Sequence, residues 1–280
     1  MNTYLYLIFF ITSIFFANGQ EDKLKPDQIE FDNIMDIYYT EEYDSAVVRF
    51  QDFINDFPKS DLIGRAKYNI AYIYRETKQN EKAIAAFKEI LNTKLKEKDA
   101  YGGIMEQFAL YKHRSSSILT DIFLEKKDYQ TALEYNKKAD KKHTYKHFHN
   151  REVIDSKVHI SANYSKIYRG LGDYKKSLNY VLPYTFYGRN YIVDDIIASL
   201  DSLYTNEQIV SQLTKAKKNL ILKKKNYAQI ELFGKKLKVY EDLLYSDLND
   251  PNIQQYFELK GIDIYKKIID THPLFKHYLK

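Results

Sequence analysis

The sequence predicts an all-α chain of stacked antiparallel helix pairs, on three observations. A frame consisting of an apolar residue, eight mostly polar residues and then usually a small residue that opens an amphipathic run recurs five times in the 280 residues. Only 9 Gly and 5 Pro interrupt the chain, so long stretches can stay helical. Apolar residues recur with helical spacing, and no two-residue alternation is read outside the N-terminal segment, so almost no strand is expected.

The five frames are "IYYTEEYDSA" from Ile37, "YRETKQNEKA" from Tyr74, "FLEKKDYQTA" from Phe123, "YRGLGDYKKS" from Tyr168 and "ILKKKNYAQI" from Ile221, the last ending in Ile230, which is not small. Each reads as the end of one helix, a tight polar turn and the start of a second helix. A Tyr stands three places before the final residue in four of them: Tyr43, Tyr129, Tyr174 and Tyr227. Asp128, Asp173 and Asn226 precede their Tyr, where a side-chain oxygen can accept from the free N–H groups of the helix that follows. Each pair exposes an apolar face that only its neighbour can cover, so stacking is obligatory.

These residues resemble the tetratricopeptide repeat, a helix–turn–helix unit with a small residue where its two helices, A and B, cross. In the sharpest copy Ile70, Ala71 and Tyr74 match the helix A signature, and Ala83 and Phe87 that of helix B. The first copy contributes Ala46, Phe50 and Pro58, the third Thr120, Phe123 and Ala132, and the fourth Ser165, Tyr168 and Ser177. The fifth has Lys218, Ile230 and Gly234 at key places, so only the first half of the resemblance is sharp. The resemblance implies an α-solenoid of about ten to twelve helices, wound as a right-handed superhelix with a concave side.

The frames are spaced more widely than the family's repeat, which calls for helices lengthened by a turn or two, or for extra helices between units. "EKDAYGGIMEQFALYKHRSSSILTDIF" favours lengthening in repeat three, with Gly102 and Gly103 at its start or at a kink. "NYIVDDIIASLDSLYTNEQIVSQL" has the periodicity of an additional helix, and Pro183 should kink or end the second helix of repeat four. At the C-terminus Asp250, Pro251, an apolar face of Ile253, Phe257, Ile264 and Ile268, and then Pro273 outline a capping helix. The expected organisation is a signal peptide over 1–19, a linker over 20–26, about five repeats over 27–246 and a cap over 247–280.

The signal-peptide reading rests on "MNTYLYLIFFITSIFFANG", which carries no charged side chain; Leu5 to Phe16 is a largely apolar run, too short to span a bilayer comfortably. Ala17 and Gly19 place small residues where a signal peptidase reads, so cleavage before Gln20 and export to the periplasm or cell surface are expected, despite an n-region without Lys or Arg. The chain has no Cys, which excludes disulfides, a thiolate nucleophile, Cys-based zinc sites and lipid attachment through Cys. With 27 Tyr and 16 Phe, a substantial core is available from packing alone. A formal charge of +5 is modest and does not by itself call for nucleic acid.

In the resembled family helix A lines the concave face. Carrying its contact positions over gives Arg65, Tyr68, Tyr72 and Arg75, then Arg114 and Asp121, then His159, Ala162, Lys166 and Arg169. Arg can hold a carboxylate through two parallel hydrogen bonds and Tyr can pack an apolar side chain, so the expected guest is a protein or peptide segment, acidic or aromatic. The alternative is that these residues form solvated helix faces.

Two further clusters have alternatives of their own. "HTYKHFH" puts His143 and His147 four apart, a spacing at which two metal ligands converge if the segment is helical, with His149 close by. Five lysines between 137 and 146 oppose a divalent cation, so no metal site is expected. From Lys215 to Lys238 nine lysines accompany a single acid, Glu231. This strip reads either as the soluble outer face of two helices or as a surface for acidic lipid headgroups, which makes a sensory or envelope-associated module the rival to a protein-binding scaffold. Nucleic acid is not expected, since Lys in place of Arg argues against base reading. No phosphate loop, zincin helix, nucleophile elbow or glycosidase-like acid pair occurs, so neither an enzyme nor a cofactor is expected.

Overall fold

The computed structural model describes residues 25–96, 107–187, 191–224, 226–241 and 258–279. The segment expected to be a signal peptide, 1–19, most of the expected linker, Gly102 and Gly103, and Asp250, Pro251, Ile253 and Phe257 of the expected cap lie outside them.

Helices follow one another as antiparallel pairs: α1 (Pro26–Tyr39) with α2 (Tyr43–Asp56), α3 (Ile63–Glu76) with α4 (Asn80–Asn92), α5 (Tyr111–Glu125) with α6 (Tyr129–Lys137), and α7 (Asn150–Gly170) with α8 (Tyr174–Val181). Four of the five frames fall at the tips of these pairs. Each helix hides a stripe spaced at three or four residues: Ala46, Phe50 and Phe53 on α2; Ala66, Ile70 and Ile73 on α3; Ala83, Phe87 and Ile90 on α4. Each fully buried Phe in such a stripe contributes about 2 kcal/mol by removal from water.

The four turns are the same structure. Glu41, Lys78, Lys127 and Gly172, each four residues after the opening residue of its frame, have positive φ of 62°, 60°, 57° and 78°. The next residue's N–H returns to the carbonyl of the frame's first residue: Glu42 to Ile37 at 3.3 Å, Gln79 to Tyr74 at 2.8 Å, Asp128 to Phe123 at 2.9 Å and Asp173 to Tyr168 at 2.8 Å. This is the left-handed helix stop, in which backward hydrogen bonds satisfy the last carbonyls. Asp128 and Asp173 then cap α6 and α8, accepting from the N–H groups of Thr131 and Lys176 at 3.1 and 3.0 Å.

The small residues sit where the helices cross. Ala46, Ala71, Ala83, Ala132 and Ser177 are buried, as are Phe50, Phe87 and Phe123, whereas Tyr74 and Tyr168 are half-buried. At the fourth crossing the alanine is replaced by a hydroxyl chain, Ser165 to Ser177 at 2.6 Å, Ser177 to Ser199 at 2.7 Å, and Ser199 on to the Asp195 carbonyl at 2.8 Å.

Between the fourth pair and the sheet, the segment read as one additional helix forms two, α9 (Tyr191–Leu203) and α10 (Asn206–Lys218), with Thr205 and Gln208 as a capping box. α8 ends at Val181, and Pro183 lies in a short 3-10 turn, Leu182–Tyr184. The lengthening expected in repeat three is not in α5, which starts only at Tyr111. Repeat four is the one extended, through the 21 residues of α7.

The fifth frame is not a helix pair. Ile221–Lys224, Tyr227–Leu232 and Lys235–Tyr240 form an antiparallel meander, β1–β2–β3, in which Ile221 pairs with Gln229 and Gln229 with Lys238. Ala228, Ile230, Leu232, Leu237 and Val239 alternate inward, and Phe233 and Gly234, with φ of 46° and 74°, make a two-residue hairpin turn of the kind that matches strand twist. Asn226 therefore caps no helix, the lysine strip is not the face of two helices, and the expectation of almost no strand is corrected. Alternation overrides the frame because it places Ala228, Ile230, Leu232, Leu237 and Val239 together on one face.

At the C-terminus Ile264 and Ile268 are buried on α11 (Ile262–Thr271), and Pro273 opens a further short helix, α12 (Pro273–Tyr278), rather than ending the chain's helical part. The core is segmented: one apolar cluster serves α1 to α3, a second serves α3 to α7, and the largest joins α7 to α12 and the sheet's inner face. A segmented core is what a stack of nearest-neighbour units produces.

Candidate functional site: the inner layer of A helices

α3, α5, α7 and α9 each pack against the next member of this set, whereas α2, α4, α6 and α8 make no comparable contact with one another. The odd-numbered helices are thus the inner layer of the stack, and all ten residues expected on the groove lie on three of them.

Tyr68, Arg114 and His159, from α3, α5 and α7, line one cleft of about 360 Å³, with His113, Ser117, Ile118, Tyr145, Glu152, Asp155 and Ser156 completing its walls. Tyr68 is held by packing, its ring centroid 6.0 Å from Phe87, 5.8 Å from Tyr111 and 6.3 Å from Tyr72. Burial pushes its hydroxyl up to about 12, against the pull of the Arg114 guanidinium. Arg114 is exposed and has no ion pair among the described residues.

The remaining groove residues are spoken for by the fold. Arg75 pairs with Glu125 on α5 and donates to Asn80 at 3.2 Å. Arg169 pairs with Asp195 on α9. Asp121 accepts from Asn163 Nδ2 at 3.2 Å, and the same amide lies 3.4 Å from His159 Nε2; burial holds the Asp121 carboxyl above the ordinary range, with His159 opposing. Tyr72 is hydrogen-bonded to Glu76, and desolvation first and this carboxylate second raise its hydroxyl pKa. Lys166 is exposed, Ala162 is buried and Arg65 is partly buried. Three inner-layer contacts, Arg75–Glu125, Asp121–Asn163 and Arg169–Asp195, therefore tie each A helix from α3 to α9 to its successor.

Two cleft residues, His113 and Ser156, carry no repeat signature; the sequence places His113 on a helix as a packing or groove residue and gives no sign of Ser156. His113 is buried, and its Nδ1–H donates to the His143 carbonyl at 2.8 Å. That bond leaves Nε2 as an acceptor, 3.5 Å from the Ser156 hydroxyl, and burial lowers the imidazole's pKa. A single His in a helix pattern gave no reason to pair it with a Ser 43 positions away.

The "HTYKHFH" segment is not helical, so His143 and His147 do not share a helical face. His147 Nδ1 accepts from the His149 N–H at 3.1 Å, and His149 Nδ1 accepts from the Arg151 N–H at 3.4 Å, capping α7. Among the described residues no group of three His, Asp or Glu side chains is placed to hold a metal ion, and no helix is long and apolar enough to cross a membrane.

The fold and its inner layer define a helical-hairpin solenoid that presents a surface for other molecules. Residues 64–96, spanning α3, α4 and their flanks, match the family model of the tetratricopeptide repeat. Residues 64–96 thus form a tetratricopeptide repeat, and repeats of this family are typically non-catalytic scaffolds that mediate protein–protein interactions. No curated protein matches the chain.

Proposed function

We propose that the chain is an exported adaptor that holds an extended segment of a partner protein against the inner layer, with the cleft at Tyr68, Arg114 and His159 as its anchoring point. The observation that carries this is the convergence of the packed Tyr68 ring, the Arg114 guanidinium, which has no ion pair among the described residues, and the His159 imidazole, from three successive A helices, on a single cleft. Arg114 supplies a fork for a carboxylate, and Tyr68 with Ile118 supplies an apolar wall for a neighbouring ring, which suits an acidic segment containing an aromatic residue. Arg75 and Arg169 act at one remove, setting the spacing of the helices that frame the cleft.

Fluorescent peptides pairing Asp or Glu with Phe or Tyr test the reading by anisotropy. Binding that falls at least ten-fold in Arg114→Ala, about 1.4 kcal/mol, with unchanged helicity supports it. Equal binding by Arg114→Ala and by the parent removes the cleft from the mechanism. Export is tested separately: secreted material should begin at Gln20, and a chain retaining Met1 would refute cleavage there.

A further inference from the structure

We infer that the outward face of the β-meander is a docking surface for an anionic lipid bilayer, a second site that does not rest on the cleft. Register places Ile221, Gln229 and Lys238 in one row across the sheet and Glu231 opposite Lys236, while the partners in the rows between point into the core. The outward face therefore carries Lys236 and Lys238 against a single acid, Glu231, with Tyr227 and Tyr240 at one end, and Lys223, exposed where the β1 register shifts between Leu222 and Lys224, adds a charge at the edge strand. Lys238 Nζ lies 5.1 Å from the Tyr227 ring centroid. Lys223, Lys235, Lys236 and Lys238 have no ion pair among the described residues, unlike Lys217, which pairs with Asp270 at 2.5 Å.

Charge complementarity alone would admit any acidic partner. The edge strand narrows the choice, because it exposes a branched apolar side chain in the outward row, Ile221 at 50%, and a second at its rim, Leu222 at 42%, whose row partner Ala228 faces the core. A sheet edge facing only water is normally blunted by charge. Apolar tips ringed by lysines and tyrosines suit a bilayer interface, where the tips enter the acyl boundary and the ammonium groups stay among the phosphates. Lysine acts as a point charge, which suffices for headgroups whose positions are not fixed.

The test is sedimentation of the full chain with vesicles of neutral phosphatidylcholine and with vesicles that also contain phosphatidylglycerol. Binding is expected only to the second kind, falling steeply as salt shortens the Debye length. Lys236→Gln with Lys238→Gln should weaken it roughly thirty-fold, and Lys223→Gln alone, on another strand, roughly five-fold. The chain has no Trp, so Ile221→Trp introduces the sole indole, whose emission should shift to the blue on anionic vesicles alone. Arg114→Ala should bind vesicles as the parent does, so that a failed cleft and a failed lipid site give different results. No binding to anionic vesicles, undiminished binding by the folded lysine variants, or an unshifted indole would each overturn the inference. So would capture of polyglutamate or a single-stranded oligonucleotide by these lysines in place of vesicles.

Discussion

Arg169 on α7 and Asp195 on α9 meet as an ion pair from which solvent is almost wholly excluded on the acidic side, with Asp195 Oδ2 and Arg169 Nε left without a partner among the described residues. Burial raises the Asp195 carboxyl's pKa above its ordinary value while the guanidinium pulls it back down. Arg169→Leu would leave that carboxylate buried with only the more distant Lys166 ammonium opposing its burial, and a loss of about 3 kcal/mol in urea unfolding is expected. Because the folded-state pKa then rises further above the unfolded one, the loss should be full at neutral pH and shrink as pH falls into the carboxylate range. Replacing both partners by Leu should restore most of the stability; a double variant as unstable as the single one would contradict this account.

His272 predicts the opposite pH trend. Its imidazole is buried, with Nε2–H donating to the Thr185 carbonyl at 2.9 Å and Nδ1 accepting from the Leu274 N–H at 3.2 Å, and desolvation brings its pKa down to about 4. The unfolded chain binds this proton first, so the contribution is present above the ordinary histidine range and is lost as pH falls from about 6.5 to about 4, some 3 kcal/mol in all. His272→Asn keeps an oxygen cap for Leu274, and its melting temperature should be flatter than the parent's across that window.

The shared turn yields a pair of substitutions of opposite sign. Lys78 occupies the left-handed position with φ of 60°, where a β-carbon is disfavoured; Gly172 occupies the same position in the fourth hairpin. Lys78→Gly should stabilise by roughly 0.5–1 kcal/mol and Gly172→Ala destabilise by a similar amount, read as shifts in urea midpoint at constant slope. A fall in stability for Lys78→Gly would show that the lysine makes an interaction beyond its backbone role.

Gly170 closes α7 directly beneath the ring of Tyr129, and a methyl group there would overlap Cε1, Cζ and Cδ1. Gly170→Ala should cost about 1–3 kcal/mol by thermal or urea unfolding. In a Tyr129→Ala background the same change should cost little, because the obstructing ring is gone. Equal costs in the two backgrounds would place the strain elsewhere.

Four hairpins were legible because the turn frame, the small crossing residue and the helical stripe all point to one structure in each. At "ILKKKNYAQI" they part company: the frame is present, but Ala228, Ile230, Leu232, Leu237 and Val239 alternate around Phe233–Gly234, and two-residue periodicity decides the fold. Of the inner layer, the helix face was legible and the pairing was not. Arg75 and Arg169 lie on the inner layer, yet their partners Glu125 and Asp195 stand 50 and 26 positions away on the following A helix, a relation that one repeat's sequence does not contain. Ser156, and its approach to His113 across 43 positions, escaped notice for the same reason.

The separate apolar clusters also bear on how the chain would answer a mechanical load. Tension applied at α1 is resisted by contacts that end at α3, and the packing around α11 and α12 shares none of that strain. A pulled molecule should therefore give way in successive small steps, paying out slack one hairpin at a time, as a row of zip fasteners does and a single knot does not.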